Sequence, residues 1–401
     1  MLDEGVDLRP RQGAAHIGGE SRHECAVLPG DDHRAPVIAV GGALQVNAAQ
    51  DITLANAGNQ FTGAVSMQTA GNLSLANQAA TQLALPSVGG NLTLQSGGAV
   101  SQQGAWLVNG QTVVHAAGQS VALTDSGNQL RGAASFTAGN VSWNQASGAT
   151  MGVLDTANFM LTTQGNAQLG TGHVAGNLTV NTQGGVISQA STGTLTVDGL
   201  TTLSTAGTGA RGAVQLIQAS NQFLGGVNLN QTGATQTTSG SALALQGDAA
   251  SLTVRSSNAV TFGNTQVQGA LSVDAQGAAI GQQAASTLKV NGASSLKSAG
   301  GNITLQAAGN QLLGKVDVQG AQVNLSQDAA LALGQVQAGQ LNVSSATSLD
   351  LGTGRVDGSL TALASQGDLT QQAAGLSVGG AASLQATQGK EIGRASCRER
   401  V

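Results

Sequence analysis

The densest chemistry in the sequence is Asp350, Arg355 and Asp357, in the stretch LDLGTGRVDG. Clustered carboxylates beside a base are what a polysaccharide lyase or hydrolase needs on one face. Residues 38–389, however, hold eleven Asp and no Glu. The three residues therefore read as a solvated turn with a local ion pair. The run GTGARG, Gly207 to Gly212, fits the G-x-G-x-x-G dinucleotide fingerprint. No helical pattern follows it to receive a pyrophosphate, so it reads as a turn between strands. His115 and His173 stand alone, and His16, His23, Cys25 and His33 show no paired metal-ligand spacing. A calcium-binding G-G-x-G-x-D run is missing as well. The sequence points to no catalytic residue, no cofactor and no metal.

What the chain does contain is one phrase written four times. It reads LANAGNQFTGAVSM from Leu54, LTDSGNQLRGAASF from Leu123, LIQASNQFLGGVNL from Leu216 and LQAAGNQLLGKVDV from Leu305. Each copy has a polar turn ending in Asn-Gln, then a large apolar residue, then an alternating strand. The Asn positions (Asn59, Asn128, Asn221, Asn310) are the best candidates for chain corners, because Asn tolerates the backbone that corners require. The apolar positions (Phe61, Leu130, Phe223, Leu312) read as core filling, since Phe and Leu exchange there. These eight are the structural repeat positions. A second phrase, as in GNLTLQSGGAVSQQ from Gly90 and GNLTVNTQGGVISQ from Gly176, keeps step with the first. The offset between the phrases is identical from Asn128 to Gly176, from Asn221 to Gly269 and from Asn310 to Gly358. From Asn59 to Gly90 it is shorter by about one coil of a solenoid, so whole coils are gained and lost.

Composition agrees with thin stacked strands. Gly accounts for 59 of 401 residues, aromatic residues for 2%, and Tyr is absent, while hydrophobic residues reach 40%. Such a chain is too apolar and too weakly charged for disorder, yet it cannot build an aromatic globular core. The strand signal is L-x-V, L-x-L or I-x-L, three to five residues long, bracketed by Gly, Asn, Asp or Ser. Period-two alternation puts Leu, Val and Ile on one face. Strands so short can pair in register with the equivalent strand one coil above and one below, giving coils about 4.8 Å apart. The fold class is all-β, a right-handed parallel β-helix. Some 350 residues at about 20 per coil would make a shaft on the order of 80 Å long. The four corner Asn recur too far apart to stack into one ladder. Trp106 and Trp143 have no counterparts in other copies and are expected at the surface or in a local dent.

GNLTVNTQGG, GNITLQAAGNQ and ANAGNQFTGAV resemble the repeats of filamentous haemagglutinin-like exoproteins, the large bacterial adhesins of two-partner secretion. The likeness spans Ile38 to Gly389. It implies a right-handed parallel β-helix, export through a dedicated outer-membrane transporter, and display at the cell surface or in the medium. The implied partner is a receptor or glycan on a host or neighbouring cell. Contact-dependent inhibition and other polymorphic toxins share this repeat style, so a toxin stalk is the alternative, and a β-helical polysaccharide-degrading enzyme the third. The family's N-terminal secretion domain has no matching stretch in this sequence.

Three segments follow. Residues 1–37 lie outside the repeats and read as disordered or mistranslated; residues 38–389 form the shaft. Residues 390–401, with IGRASCRERV, read as a sequencing-adapter frame, so the natural chain is expected to continue past Gly389. The shaft is free of Cys and carries 7 Lys and Arg against 11 Asp, a net of −4, with no basic face for nucleic acid. The sequons at Asn91, Asn177 and Asn302 mostly restate the strand pattern.

Overall fold

The computed structural model describes residues 37–392, in two compact units divided between Gly199 and Leu200. The segments before residue 37 and after residue 392, which hold the leader and nearly all of the tail set apart above, lie outside the described residues. Both units are built the same way: short strands, each paired in parallel with the strand one coil before and one coil after.

In the first unit one column runs through Ile52–Leu54, Leu73–Asn77, Leu92–Ser96, Thr112–Ala116 and Ala134–Gln145. Its register passes from Ile52 to Leu73 to Leu92 to Thr112 to Ala134, one full coil at each step. In the second unit a column passes in the same way from Leu252 to Leu271 to Ser294 to Val316. These are the coils of a parallel β-solenoid. Backbone pairing uses the N–H and C=O groups of each coil along the stack, which is how strands of three residues become stable.

The core follows from alternation. In Leu73, Leu75, Leu92, Leu94, Val114 and Phe136 every second side chain points inward and is almost fully buried. Each buried Leu or Val contributes on the order of 1.5–3 kcal/mol of hydrophobic stabilisation. Three aromatic side chains meet in the first unit, where the Phe136 ring lies 5.8 Å from both Trp143 and Phe159. Trp106 and Trp143 are both wholly buried, not at the surface. Trp106 fits because its indole N–H donates to the Leu83 carbonyl at 2.9 Å. Trp143 fits by ring packing alone, its indole N–H having no partner.

Strand lengths also differ from expectation. Besides the short strands there are long ones, such as Ala134–Gln145, Ala149–Thr163, Val227–Ser239 and Leu331–Ser345. Each runs through a bend by means of a register shift, for example between Ala134 and Phe136 or between Val316 and Val318. A bulge lets one strand serve two sides of a coil, turning the chain without leaving the sheet. Among the described residues no helix is long and apolar enough to cross a membrane.

Candidate functional site

The four corner Asn lie inside the coil. Asn59, Asn128, Asn221 and Asn310 are buried, and so are Phe61, Leu130, Phe223 and Leu312 two positions on. A tight turn places them: Asn59 N–H donates to the Asn56 carbonyl, Asn128 N–H to Asp125, and Asn221 N–H to Gln218. With the backbone turned inward, the side-chain amide replaces missing strand partners. Asn128 Oδ1 accepts from the Trp106 N–H at 2.8 Å, and Asn310 Oδ1 from the Leu288 N–H at 2.9 Å. Gln102 and Gln282, from the second phrase, then clasp these amides reciprocally: Gln102 Nε2 to Asn128 Oδ1 at 2.8 Å, Gln282 Nε2 to Asn310 Oδ1 at 2.7 Å. The two phrases thus keep step because one holds the corner of the other.

A second amide closes the other side. Gln145 accepts from the Leu130 N–H at 3.1 Å and donates back to the Leu130 carbonyl at 3.0 Å. Asn77 does the same for Phe61, at 2.9 and 3.0 Å, and Gln327 accepts from the Leu312 N–H at 2.8 Å. An amide side chain presents one donor and one acceptor side by side, as a strand residue does. These clamps were not singled out in the sequence, although each falls 15 or 16 residues after the apolar position it serves.

The corner Asn do not stack on one another, in keeping with their spacing. A side-chain ladder does exist at a different corner, the position before each inward strand. Asp51 accepts from the Asn72 N–H at 2.7 Å, Asn72 from the Asn91 N–H at 2.8 Å, and Asn91 from the Gln111 N–H at 2.8 Å. The signal was the Asp, Asn or Gln directly preceding Ile52, Leu73, Leu92 and Thr112.

The residues first considered for chemistry sit on the outer surface. Arg355 pairs with Asp357 as an exposed ion pair, and Asp350 accepts from the Gly352 N–H at 2.9 Å and from Gln372 Nε2 at 3.3 Å. His173 Nε2 lies 2.9 Å from Asp198 Oδ2. The run containing Gly207 leads into the strand Val214–Leu216 and not into a helix, and its Arg211 reaches Asp248 at 3.1 Å. Among the described residues no cluster of three His, Cys, Asp or Glu side chains could hold a metal ion.

One side of the coil carries glycines in its inward column. Its inward column holds Phe136, Leu154, Gly172 and Leu195 in the first unit. In the second unit it holds Leu229, Gly247 and Thr265, then further along Val318, Val336 and Gly354. The glycines have φ of +137°, +106° and +128°. A Cβ would meet the carbonyl oxygen of the preceding coil at 1.9, 1.9 and 2.1 Å, so only glycine fits. Two open grooves lie on this side in the second unit. One of about 480 Å³ includes Gly247; the other, about 420 Å³, includes Gly354. Their walls are outward side chains: Asn228, Asn230, Asp248, Gln266 and Lys289 in the first, Lys297, Asp317, Gln319, Gln337 and Arg355 in the second.

A family model described as repeats of unknown function (DUF5649) matches the chain over residues 34–68, 70–137, 156–230, 247–319 and 338–392. The chain belongs to this family. The last three matches begin at evenly spaced positions, 156, 247 and 338, close to the period of the Asn-Gln phrase. No characterised protein and no solved structure matches it.

Proposed function

We propose that this repeat solenoid is the shaft of a secreted or surface-displayed bacterial adhesin, in the manner of the filamentous haemagglutinin-like exoproteins. A repeat β-solenoid fits a structural shaft in general: each coil contacts only its neighbours, so length is added one coil at a time. The observation that carries the reading is the division of labour within each coil. Inward positions are mainly Leu, Val, Ile and Ala, and the corners are tied by Asn and Gln amides, as at Asn128 and Gln145. Outward positions beside the inward glycines differ from copy to copy, as the linings of the two grooves show. A scaffold held constant with a variable exterior suits a spacer that carries several weak contacts, whose sum gives avidity. Its partners on this reading are an outer-membrane transporter during export and a receptor or glycan on a host or neighbouring cell. No catalytic step is assigned to Asp350, Arg355 or Asp357.

The test is surface labelling. Antibody raised against residues 37–392 should bind intact cells of the source organism, or the protein should be recovered from the culture medium. Labelling confined to permeabilised cells, with none in the medium, would sink the reading.

A further inference from the structure

Two of the places where copy three departs from its siblings meet at one groove. The first is a loop. From Leu203 to Val214 the chain takes 11 steps, where Val114 to Val121 and Leu296 to Ile303 each take 7. The four extra residues lie in the GTGARG loop, and they carry Arg211 to Asp248 on the groove wall, 3.1 Å away. The second is a single extra residue. From Val227 to Thr235 there are 8 steps, where Ala134 to Val141 and Val316 to Val323 have 7. Gln231 is the added residue: it breaks the register between Leu229 and Thr232, has φ of +51°, and lines the groove. Bulges and left-handed non-glycine residues persist where the surroundings hold them, and they cluster at functional sites, where they re-aim a side chain.

The loop and the bulge are tied to each other from below. Thr205, fully buried, donates its hydroxyl to the Gly212 carbonyl at 2.8 Å and lies 3.4 Å from the Gln231 carbonyl. The Gly233 N–H donates to the same hydroxyl at 3.3 Å and to the Gly212 carbonyl at 2.8 Å. Thr235 and Thr237 stand where the sibling copies have Val141 and Trp143, or Val323 and Leu325. Copy three has therefore given up apolar core beneath this spot: Thr235 donates to the Thr232 hydroxyl at 2.8 Å, beside the bulge, while the Thr237 hydroxyl is buried without a partner.

What could such a groove hold? Its strands Val227–Ser239, Leu243–Ser256 and Val260–Val267 are each paired on both sides, so they leave no free edge to which a peptide strand could add. Its walls offer no apolar trough for a helix and no aromatic slot for a proline-rich segment. Asn228, Asn230, Gln231 and Gln266 present paired donors and acceptors along the groove, the pattern that matches neighbouring hydroxyls of a sugar, while Asn264 Oδ1 accepts from the Thr287 N–H at 3.0 Å. Asp248 is held by Arg211, and Lys289 adds a single positive charge to the lining, too little for a polyanion. A volume of about 480 Å³ lies within the range of small-ligand sites. We propose that the copy-three groove is a binding site for a neutral oligosaccharide, organised by the Arg211 loop and the Gln231 bulge. It rests on the geometry of this groove and is independent of where the chain is displayed.

The test presents the full chain to a panel of neutral tri- to hexasaccharides (glucans, galactans and mannans) beside sulfated and uronate-containing sets. Binding to members of the neutral set is expected. Deletion of Gln231, which returns its strand to the sibling length, should weaken it at least about tenfold, and so should the surface pair Asn230→Ala with Gln266→Ala. Gln319→Ala with Gln337→Ala, in the groove beside Gly354, should leave it unchanged. Circular dichroism and melting of each variant establish that the solenoid is intact; if the deletion does not fold, the surface pair decides. No binding to the neutral set, binding to the sulfated set alone that salt abolishes, or binding that survives the Asn230 and Gln266 changes would each overturn the assignment.

Discussion

The amide clamps make the sharpest prediction. Gln145 is 2% exposed and satisfies three backbone groups: the Leu130 N–H at 3.1 Å, the Leu130 carbonyl at 3.0 Å and the Gly148 carbonyl at 3.2 Å. Gln145→Ala leaves all three without a partner, in a site where the coil closes around them. An unsatisfied buried donor costs on the order of 1–3 kcal/mol, a carbonyl somewhat less, and the removed methylenes add a small cavity. The sum is about 3 kcal/mol of local stability, which corresponds to roughly 150-fold at about 1.36 kcal/mol per decade. A solenoid unfolds coil by coil, so one global melting point averages this away. Native-state hydrogen exchange resolves it: the Leu130 N–H should exchange about 100-fold faster in the variant, while amides several coils distant, such as Leu73, keep their wild-type rates. A change at Leu130 of less than about fivefold would mean that the amide is not substituting for a strand, and the account of the corners would be wrong.

Three further outcomes follow from the same geometry. Gly354→Ala should destabilise the fold by about 3 kcal/mol or more, because its φ of +128° and a Cβ 2.1 Å from the Val336 carbonyl cannot be relieved, whereas Gly41→Ala, with open space around it, should stay within about 0.5 kcal/mol; thermal melting of the two variants compares them. Trp143→Phe and Trp106→Phe each leave a cavity in the core, but only the second also abandons a hydrogen-bond partner, the Leu83 carbonyl, so it should cost about 1–2 kcal/mol more than the first, read from denaturant midpoints. Arg355→Ala breaks an ion pair whose side chains are 74% and 63% exposed, so its effect on melting should be at or below the level of detection, and a clear loss would show that this pair does more than sit in solvent.

Much of this architecture is legible in the chain itself. Period-two alternation, Gly and Asn at the breaks, and the recurrence of Asn-Gln with a large apolar residue dictate short strands, a repeating coil and buried Phe61, Leu130, Phe223 and Leu312. Those are local properties: a side chain's face on a strand depends only on its neighbours. The register between coils is not local, and it decided the rest. Only stacking shows that Gln102 clasps Asn128 one coil on, that Asp51, Asn72, Asn91 and Gln111 form a ladder, or that Arg211 meets Asp248. Trp106 and Trp143 make the same point. No sibling copy has a Trp there, so nothing in the repeat announced a place for them; the space came from the coils above and below, and the Leu83 carbonyl from the coil beneath. The sequence by itself determined a parallel solenoid and where its corners lie, because alternation and turn chemistry act within a few residues. Which side chains share a groove was decided by the tertiary structure, because successive coils differ in length and shift the register differently at each level: Leu243 pairs with Val260, 17 residues on, but Thr201 with Val227, 26 residues on.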